Sequence, residues 1–260
     1  MRRGGPFCKS NNGFMLAWAG HSQSAQAQNA GLGIVVSDTD ALIYESRRQA
    51  MVMIVAVHAK LCAEELGKDR LGDRVMQAII TVPRHRFVPA ELEEWAYEDT
   101  PLPIGQGKTI SQPFMVALMT DMLAIEEPDT VLEIGTGLGY QSAVLAELAK
   151  HVFSVEIIEE LAREAERRLR STGYDNVQLR IGDGSRGWVE RGPFDKIILS
   201  AAPERVPQRL LEQLKPSGKM VLPVGVGDDQ KLVLVEKGEG DHVRTRELIA
   251  VRFSPLIASH

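Results

Sequence analysis

The spacing of apolar residues predicts that helices and strands alternate along most of the chain. From about Tyr44 onward, segments with helical periodicity alternate with short apolar runs rich in β-branched residues. The predicted helices are 47–66, 69–81, 111–123, 141–150, 158–171 and 205–214. The predicted strands are 131–135, 151–157, 177–182, 194–200, 218–224, 230–236 and about 243–253. This order predicts an α/β fold with a doubly wound, mostly parallel central sheet, helices on both faces, and antiparallel strands at the C-terminal end.

The first 43 residues differ from the rest of the chain. They are rich in Gly, Asn, Gln, Ser and Ala and show no sustained period. We interpret residues 1–43 as a disordered extension or as the product of a start codon placed too far upstream. The alternative is an export signal, because Arg2 and Arg3 precede the apolar patch 14–19. Residues 44–260 are predicted to be a single domain.

Composition excludes several classes of partner. The formal net charge of −5 argues against a protein that binds nucleic acid by neutralising phosphates. No apolar run approaches the roughly 20 residues that span a bilayer. The histidines and the two cysteines are scattered without metal-ligand spacing. We therefore expect no nucleic acid, no membrane and no metal.

The most informative run is Val131-Leu-Glu-Ile-Gly-Thr-Gly-Leu-Gly-Tyr140. A buried strand leads into three glycines, Gly135, Gly137 and Gly139, and a helical segment follows them. Glycines let the backbone turn sharply and approach a ligand closely, and a helix N-terminus follows the turn. Because strand, glycine loop and helix occur together, the run indicates a nucleotide-type cofactor site.

Three acidic residues at the ends of successive predicted strands narrow the choice of cofactor. The spacing G-x-G-x-G differs from the dinucleotide pattern, and Glu133 before it suits a cationic ligand, which S-adenosylmethionine is. Glu156 is placed to accept the ribose hydroxyls, and Asp183 to accept the adenine amine. The alternatives are a solvated strand-end carboxylate for Glu133, an ion pair with Arg163 or a neighbouring basic residue for Glu156, and a turn residue for Asp183.

From about Arg47 to Ile257 the chain resembles the protein-L-isoaspartate O-methyltransferases. The most specific segment of the resemblance is Leu102-Pro-Ile-Gly-Gln-Gly-Lys-Thr-Ile-Ser-Gln-Pro113. It also includes 82–89, 131–140, Gly182-Asp-Gly184, Ala201-Ala-Pro203, Leu222-Pro-Val-Gly225 and Val251-Arg-Phe253. The glycine loop alone would indicate only a class I methyltransferase with a Rossmann-like fold, whereas the segment around Ser111 indicates this family.

The resemblance implies a function and a set of site residues. It implies methyl transfer from S-adenosylmethionine to the free α-carboxylate of L-isoaspartyl residues in damaged proteins, with repair through a succinimide. Ser111 would be the active-site residue, and its alternative role is a helix N-cap. The other predicted cofactor contacts are Gly135, Thr136, Gly137, Gly139 and Gly184. The other predicted substrate contacts are Ile104, Thr109 and Arg252, for which an exposed edge-strand arginine is the alternative.

The resemblance also divides the predicted domain. Residues 44–125 would be a helical part that carries the substrate loop, 126–240 the cofactor-binding core, and 241–260 a C-terminal strand and tail. We expect a cytoplasmic monomer. Other functions left open are a class I methyltransferase with another carboxylate or protein acceptor, a catalytically silent cofactor-binding protein and, more remotely, an NAD-dependent oxidoreductase.

Overall fold

The structure is a computed structural model that describes residues 38–240 and 242–258. Its α-helices are α1 Asp38–Leu61, α2 Ala63–Leu66, α3 Asp73–Thr81, α4 Pro113–Leu123, α5 Tyr140–Ala146, α6 Glu159–Ser171 and α7 Gln208–Glu212. Its strands are β1 Leu102–Gly105, β2 Lys108–Ile110, β3 Thr130–Ile134, β4 His151–Glu156, β5 Val177–Ile181, β6 Phe194–Leu199, β7 Leu214–Val226, β8 Asp229–Lys237 and β9 Val243–Val251. Short 3-10 helices lie at Arg84–Phe87, Ala90–Trp95, Gly184–Arg186 and Val189–Arg191.

The central sheet has the strand order β5-β4-β3-β6-β7-β8-β9. Strand β3 lies between β4 and β6 and is parallel to both. The chain runs outward from β3 through β4 to β5, then returns to β6 on the other side of β3. The carboxyl ends of these four strands therefore lie along one side of the sheet, which we call its carboxyl edge. The order of the strands reverses at β3. Open α/β sheets bind their ligands at such an edge.

The C-terminal end of the sheet is antiparallel. Strand β7 is parallel to β6, but β8 pairs antiparallel with β7, and β9 pairs antiparallel with β8. Tight connections of a few residues leave no room for the crossover that a parallel pair needs. The predicted fold class, a doubly wound and mostly parallel sheet with antiparallel last strands, is confirmed.

Alternation along the central strands directs side chains to two hydrophobic layers. In β3, Val131 belongs to the larger core cluster, while Leu132 and Ile134 belong to a second cluster. Residues of α1, α3, α4, α5 and α6 contribute to the larger cluster, and α7 contributes Leu210 to the smaller one. Because side chains alternate across a strand, Glu133 lies on the same face as Val131.

The first helix begins earlier than the pattern predicts. It starts at Asp38 rather than Arg47, so the predicted boundary between residues 43 and 44 falls inside α1. Most of its first ten residues with described side chains are exposed, and a helix that buries no stripe gives no periodic signal. The predictions for residues 1–37, the extension and the export signal, lie outside the described residues. In the described ranges, no helix is long and apolar enough to cross a membrane.

Candidate active site

The glycine loop occupies the carboxyl end of β3. Gly135, Gly137 and Gly139 have φ angles of 92°, 58° and 95°, which residues with a Cβ rarely adopt. The Gly135 amide donates to the carbonyl oxygen of Val155 at 2.9 Å, and α5 begins at Tyr140 directly after the loop. The three glycines therefore turn the chain from a central strand into a helix within five residues, as predicted.

Glu156 ends β4 and holds the loop in place. One carboxylate oxygen accepts from the Gly137 amide at 2.9 Å, and the other accepts from the Ile158 amide at 3.0 Å. A carboxylate has about four lone-pair positions, so two more donors can bind it. The alternative ion pair with Arg163 is not formed, since Arg163 pairs with Glu159 instead.

Asp183 follows β5 and begins a turn. Its Oδ1 accepts from the Ser185 amide at 2.9 Å, which caps the short helix Gly184–Arg186. The carboxylate also lies 3.7 Å from the Arg186 Nε atom. The turn-residue alternative is therefore part of what Asp183 does, and its predicted contact with the adenine amine stays a prediction.

Gly184 allows the ends of β5 and β3 to approach each other. A Cβ atom at this position would lie 2.3 Å from the Cγ2 atom of Ile134, which is far inside van der Waals contact. A side chain here would push the two strand ends apart. The glycine thus keeps Asp183 close to the loop at the carboxyl end of β3.

Glu133 lies beneath the glycine loop. It is fully buried, and its Oε2 accepts from the hydroxyls of Ser142 and Ser154, the latter at 2.6 Å. The Thr136 and Ser154 hydroxyls are 2.6 Å apart, which connects Thr136 of the loop to the same cluster. Alternation along β3 turns the Glu133 side chain toward α5, and its predicted contact with a cationic ligand stays a prediction. It supports the loop from below.

Burial changes the acidity of Glu133. Desolvation raises its pKa to about 7, although the hydrogen bonds from Ser142 and Ser154 act in the opposite direction. Its Oε1 has no hydrogen-bond partner among the described residues. A proton on this oxygen would remove most of the cost of burying the charge. This acid therefore titrates near neutral pH.

A small hairpin packs directly on the glycine loop. Strands β1 and β2 form a two-stranded antiparallel sheet in the segment predicted to be the substrate loop. The Cδ1 atom of Ile104 would be 3.2 Å from a Cβ atom on Gly137, so the hairpin rests where the loop has no side chain. Thr109 pairs with Pro103 and is exposed on the face opposite Ile104. The structure thus brings Ile104, but not the Thr109 side chain, against the loop.

Ser111 lies between this hairpin and α4. The N-cap of α4 is Gln112, and no side chain of the cap residue bonds to the helix. Instead, Asp99 accepts from the Phe114 amide at 2.8 Å. The alternative role of Ser111 as the N-cap is therefore wrong. Its hydroxyl makes no hydrogen bond within the described residues, while its carbonyl oxygen accepts from Arg84 Nη2 at 2.8 Å.

Two residues that the sequence analysis did not assign to the site hold the Ser111 segment. Arg84 binds the Ser111 carbonyl, and Asp99 binds the Phe114 amide and, at 2.9 Å, the Gln112 side chain. Arg84 lies in a run with His85 and Arg86, so the sequence around it gives no sign of its burial. Asp99 gives no local signal, because its partners are at least 13 residues away in the sequence.

Arg252 is not joined to this cluster. Its Nη1 atom lies 3.1 Å from a carboxylate oxygen of Asp228, in the turn between β7 and β8, and both side chains are largely exposed. Its environment is therefore that of an exposed arginine, as the alternative interpretation expected. Within the described residues there is also no group of three or more His, Cys, Asp or Glu side chains that could hold a metal ion.

Comparison with known proteins adds to this geometry. Residues 58–260 match the family model described as protein-L-isoaspartate(D-aspartate) O-methyltransferase (PCMT). Protein-L-isoaspartate O-methyltransferase 1 of Polaromonas sp. (strain JS666 / ATCC BAA-500) is 56% identical over 209 residues, which cover 80% of this chain and 89% of the relative. Protein-L-isoaspartate O-methyltransferase 2 of Syntrophobacter fumaroxidans (strain DSM 10017 / MPOB) is 50% identical over 218 residues, covering 84% and 88%.

Solved structures show the same fold. A protein-L-isoaspartate O-methyltransferase superposes with a TM-score of 0.69 at 26% identity, over 80% of this chain and 65% of that one. A Plasmodium falciparum protein described as a beta-aspartate methyltransferase, in complex with S-adenosyl-L-homocysteine, has a TM-score of 0.67 at 20% identity, over 82% and 98% of the two chains. The second similarity concerns the fold alone.

The pKa of Glu133 leads to a prediction about stability and pH. Because its pKa is about 7 in the folded protein against an ordinary 4.5, the folded state binds a proton that the unfolded chain releases between these values. The free energy of unfolding of the wild type should therefore fall by on the order of 3 kcal/mol as pH rises through this window. Glu133→Gln removes the titration. Its Tm relative to the wild type should rise by roughly 5 °C or more between pH 5 and pH 8 in thermal unfolding.

Glu160→Gln is the matched control for this measurement. Glu160 is exposed on α6 and has no ion-pair partner among the described residues, so the same comparison should show no trend with pH. A Tm difference between Glu133→Gln and the wild type that stays constant from pH 5 to pH 8 would contradict the buried titration.

Proposed function

The chain belongs to the protein-L-isoaspartate(D-aspartate) O-methyltransferase family, and from this premise we propose the reaction that its site performs. It transfers a methyl group from S-adenosylmethionine to the free α-carboxylate of L-isoaspartyl residues in damaged proteins. The ester formed then closes to a succinimide, whose hydrolysis returns part of the damage to normal aspartate. Isoaspartyl peptides and proteins are its substrates.

The chemistry requires positioning more than activation. When bound, S-adenosylmethionine supplies an electrophilic methyl group on a positively charged sulfur. The acceptor carboxylate has an ordinary pKa near 3.5, so it is ionised at neutral pH without a general base. An oxygen–carbon bond forms as the carbon–sulfur bond breaks, and the electron pair leaves with sulfur. The protein has to align the three atoms and exclude water.

The carboxyl edge of the sheet has the features that the methyl donor needs. The glycine loop offers backbone without side chains, and Glu156 and Asp183 end the two neighbouring strands. We infer that Glu156 accepts the ribose hydroxyls through its remaining lone pairs and that Asp183 accepts the adenine amine. Gly135, Thr136, Gly137, Gly139 and Gly184 shape this cradle, and Glu133 supports it from below.

Ser111 is the residue to which we assign the acceptor. Its hydroxyl is uncommitted within the described residues. Arg84 binds its carbonyl oxygen, and Asp99 binds the Phe114 amide three residues further on. A neutral hydroxyl can orient a carboxylate without strongly stabilising a charge that shrinks in the transition state. Ile104 lies between the glycine loop and the segment that carries Ser111. For Thr109 and Arg252 we keep only a role at the rim, where protein substrate would contact exposed groups.

The observation that carries the proposal is the contact between the hairpin and the glycine loop. Ile104 packs where Gly137 lacks a side chain, and the hairpin leads directly into Ser111. The glycine loop, which suits a methyl donor, and Ser111, which suits a carboxylate acceptor, therefore line one crevice between them.

We further propose that the enzyme works in the cytoplasm as a monomer, without nucleic acid or membrane. Light scattering tests the oligomeric state, and cell fractionation tests the location.

A pair of peptides tests the function. The purified chain should form methanol-releasable methyl ester from S-adenosylmethionine on an isoaspartyl peptide, and at least about a hundredfold less on its normal aspartyl twin. A hydrogen-bonded site that fits one backbone register rejects a displaced carboxylate by such factors. Equal labelling of the twins would indicate a methyltransferase with another acceptor. Cofactor binding by calorimetry without labelling would indicate a silent cofactor-binding protein.

Ser111→Ala tests the acceptor residue. Removing one hydrogen bond to a charged group should lower kcat on the isoaspartyl peptide about tenfold to hundredfold, while the Kd for S-adenosylmethionine changes by less than about twofold. Steady-state kinetics and calorimetry measure the two quantities. Ser171→Ala, at an exposed hydroxyl on α6, is the control and should leave both unchanged. Normal turnover by Ser111→Ala would remove Ser111 from the reaction.

Glu156→Gln tests the cofactor contact. Gln replaces one of the two acceptor oxygens of Glu156 with an NH2 donor, so one set of backbone and ribose donors loses its acceptor. The Kd for S-adenosylmethionine should therefore rise about tenfold to hundredfold in calorimetry. Glu160→Gln on the adjacent helix should leave the Kd unchanged. If Glu156→Gln binds the cofactor as tightly as the wild type, Glu156 serves only to fix the Gly137 and Ile158 amides.

A further inference from the structure

Arg84 is a fully buried arginine whose partners are not carboxylates. It has no exposed surface, and it lies in the short helix Arg84–Phe87. Its Nε donates to the carbonyl oxygen of Ala96 at 2.8 Å, and its Nη2 donates to that of Ser111 at 2.8 Å. Its guanidinium carbon is 4.7 Å from the centroid of the Tyr140 ring. Arginine is rarely buried in this way, so the arrangement calls for a reason.

The buried group keeps its charge. Desolvation lowers the pKa of Arg84 to about 10, which leaves the guanidinium protonated at neutral pH. Burying a charge costs free energy unless strong contacts offset the loss of water. Two carbonyl oxygens and an aromatic face supply these contacts, and a planar guanidinium can serve both at once.

The contacts of Arg84 reach both sides of the crevice. Ser111 belongs to the acceptor loop, and its carbonyl is fixed by the Nη2 atom. Tyr140 is the first residue of α5 and follows Gly139, so its ring is attached to the end of the glycine loop. Ala96 joins the same guanidinium to the segment that carries Asp99, which binds the Phe114 amide beyond Ser111.

We propose that Arg84 is a positioning residue that sets the distance between Ser111 and the glycine loop, and so the alignment for methyl transfer. This inference rests on the proposed function. The hydrogen bond to the Ser111 carbonyl fixes the position of the serine. The contact with the Tyr140 ring fixes the end of the glycine loop relative to Arg84. Arg84 touches neither substrate, so it acts through these two neighbours.

A lysine cannot reproduce this arrangement. Its ammonium is a point charge on a flexible stem, and it cannot direct two donors at Ala96 and Ser111 while it also contacts the Tyr140 ring. We expect Arg84→Lys to keep the Kd for S-adenosylmethionine within about threefold and to lose about tenfold to hundredfold in kcat on the isoaspartyl peptide. A misplacement of about 1 Å costs factors of this size.

Tyr140 provides a second variant pair that does not disturb the buried charge directly. Tyr140→Phe keeps an aromatic face for the guanidinium, whereas Tyr140→Leu removes it. The loss of kcat should be larger for Tyr140→Leu than for Tyr140→Phe. The double variant Arg84→Lys/Tyr140→Leu should lose no more than the worse single variant, because both changes break the same link. If Arg84→Lys does not fold, the Tyr140 pair decides the question.

The control for a merely structural role is Val235→Ala. Val235 is fully buried in β8, in the smaller core cluster, and its truncation lowers stability without touching the crevice. All kinetics are measured well below the Tm of each variant. Val235→Ala should keep the kcat of the wild type, and the Arg84 and Tyr140→Leu variants should not.

The outcomes separate this inference from the proposed function. A wild type that does not methylate the isoaspartyl peptide refutes the function itself. A wild type that does, together with an Arg84→Lys variant whose kcat is within twofold of it, refutes the positioning role. Equal kcat for Tyr140→Phe and Tyr140→Leu also refutes it, as does a loss confined to the Kd for S-adenosylmethionine.

Discussion

The site depends on the absence of a side chain at Gly137. Ile104 lies where a Cβ atom on Gly137 would be only 3.2 Å from its Cδ1 atom, and the amide of the same glycine binds Glu156. One residue therefore joins the hairpin that leads to Ser111, the strand that ends in Glu156, and the loop between β3 and α5. Any other residue would be strained at a φ of 58° and would push the hairpin away. The Ser111 segment and the glycine loop can pack together because Gly137 has no side chain.

The sequence predicted the central sheet well because its strands carry a strong, local signal. Short apolar runs separated by helical segments permit few topologies once the crossovers are right-handed. The hairpin β1–β2 was missed, since strands of four and three residues containing Pro103 and Gly105 give no alternating pattern. The start of α1 was missed for a related reason, because its first turns bury almost nothing. Where tertiary contacts rather than local pattern decide the structure, prediction from one sequence fails.

The site residues divide along the same line. Glu156 and Asp183 could be placed from the sequence, because the ends of parallel strands meet at one edge. The burial of Glu133 could have been inferred from alternation with Val131, but its link to Ser142 and Ser154 requires α5 and β4 to be in place. Arg84 and Asp99 could not be assigned, since each acts on a segment more than ten residues away through a backbone group. A side chain that binds the backbone of a distant segment places no constraint on the residue type there, so it leaves no motif in the sequence.

The distribution of charge in the crevice follows from the reaction. An anionic acceptor and a cationic donor lose their charges together in the transition state, so a strong cation beside the carboxylate would stabilise the reactants more than the transition state. Arg84 lies next to Ser111, but its Nε and Nη2 atoms donate to the carbonyl oxygens of Ala96 and Ser111, and its guanidinium carbon lies over the Tyr140 ring. These contacts direct two of its nitrogens to the protein, and Nη1 has no hydrogen-bond partner among the described residues. The arginine can hold the serine in place while the group presented to the substrate remains a neutral hydroxyl.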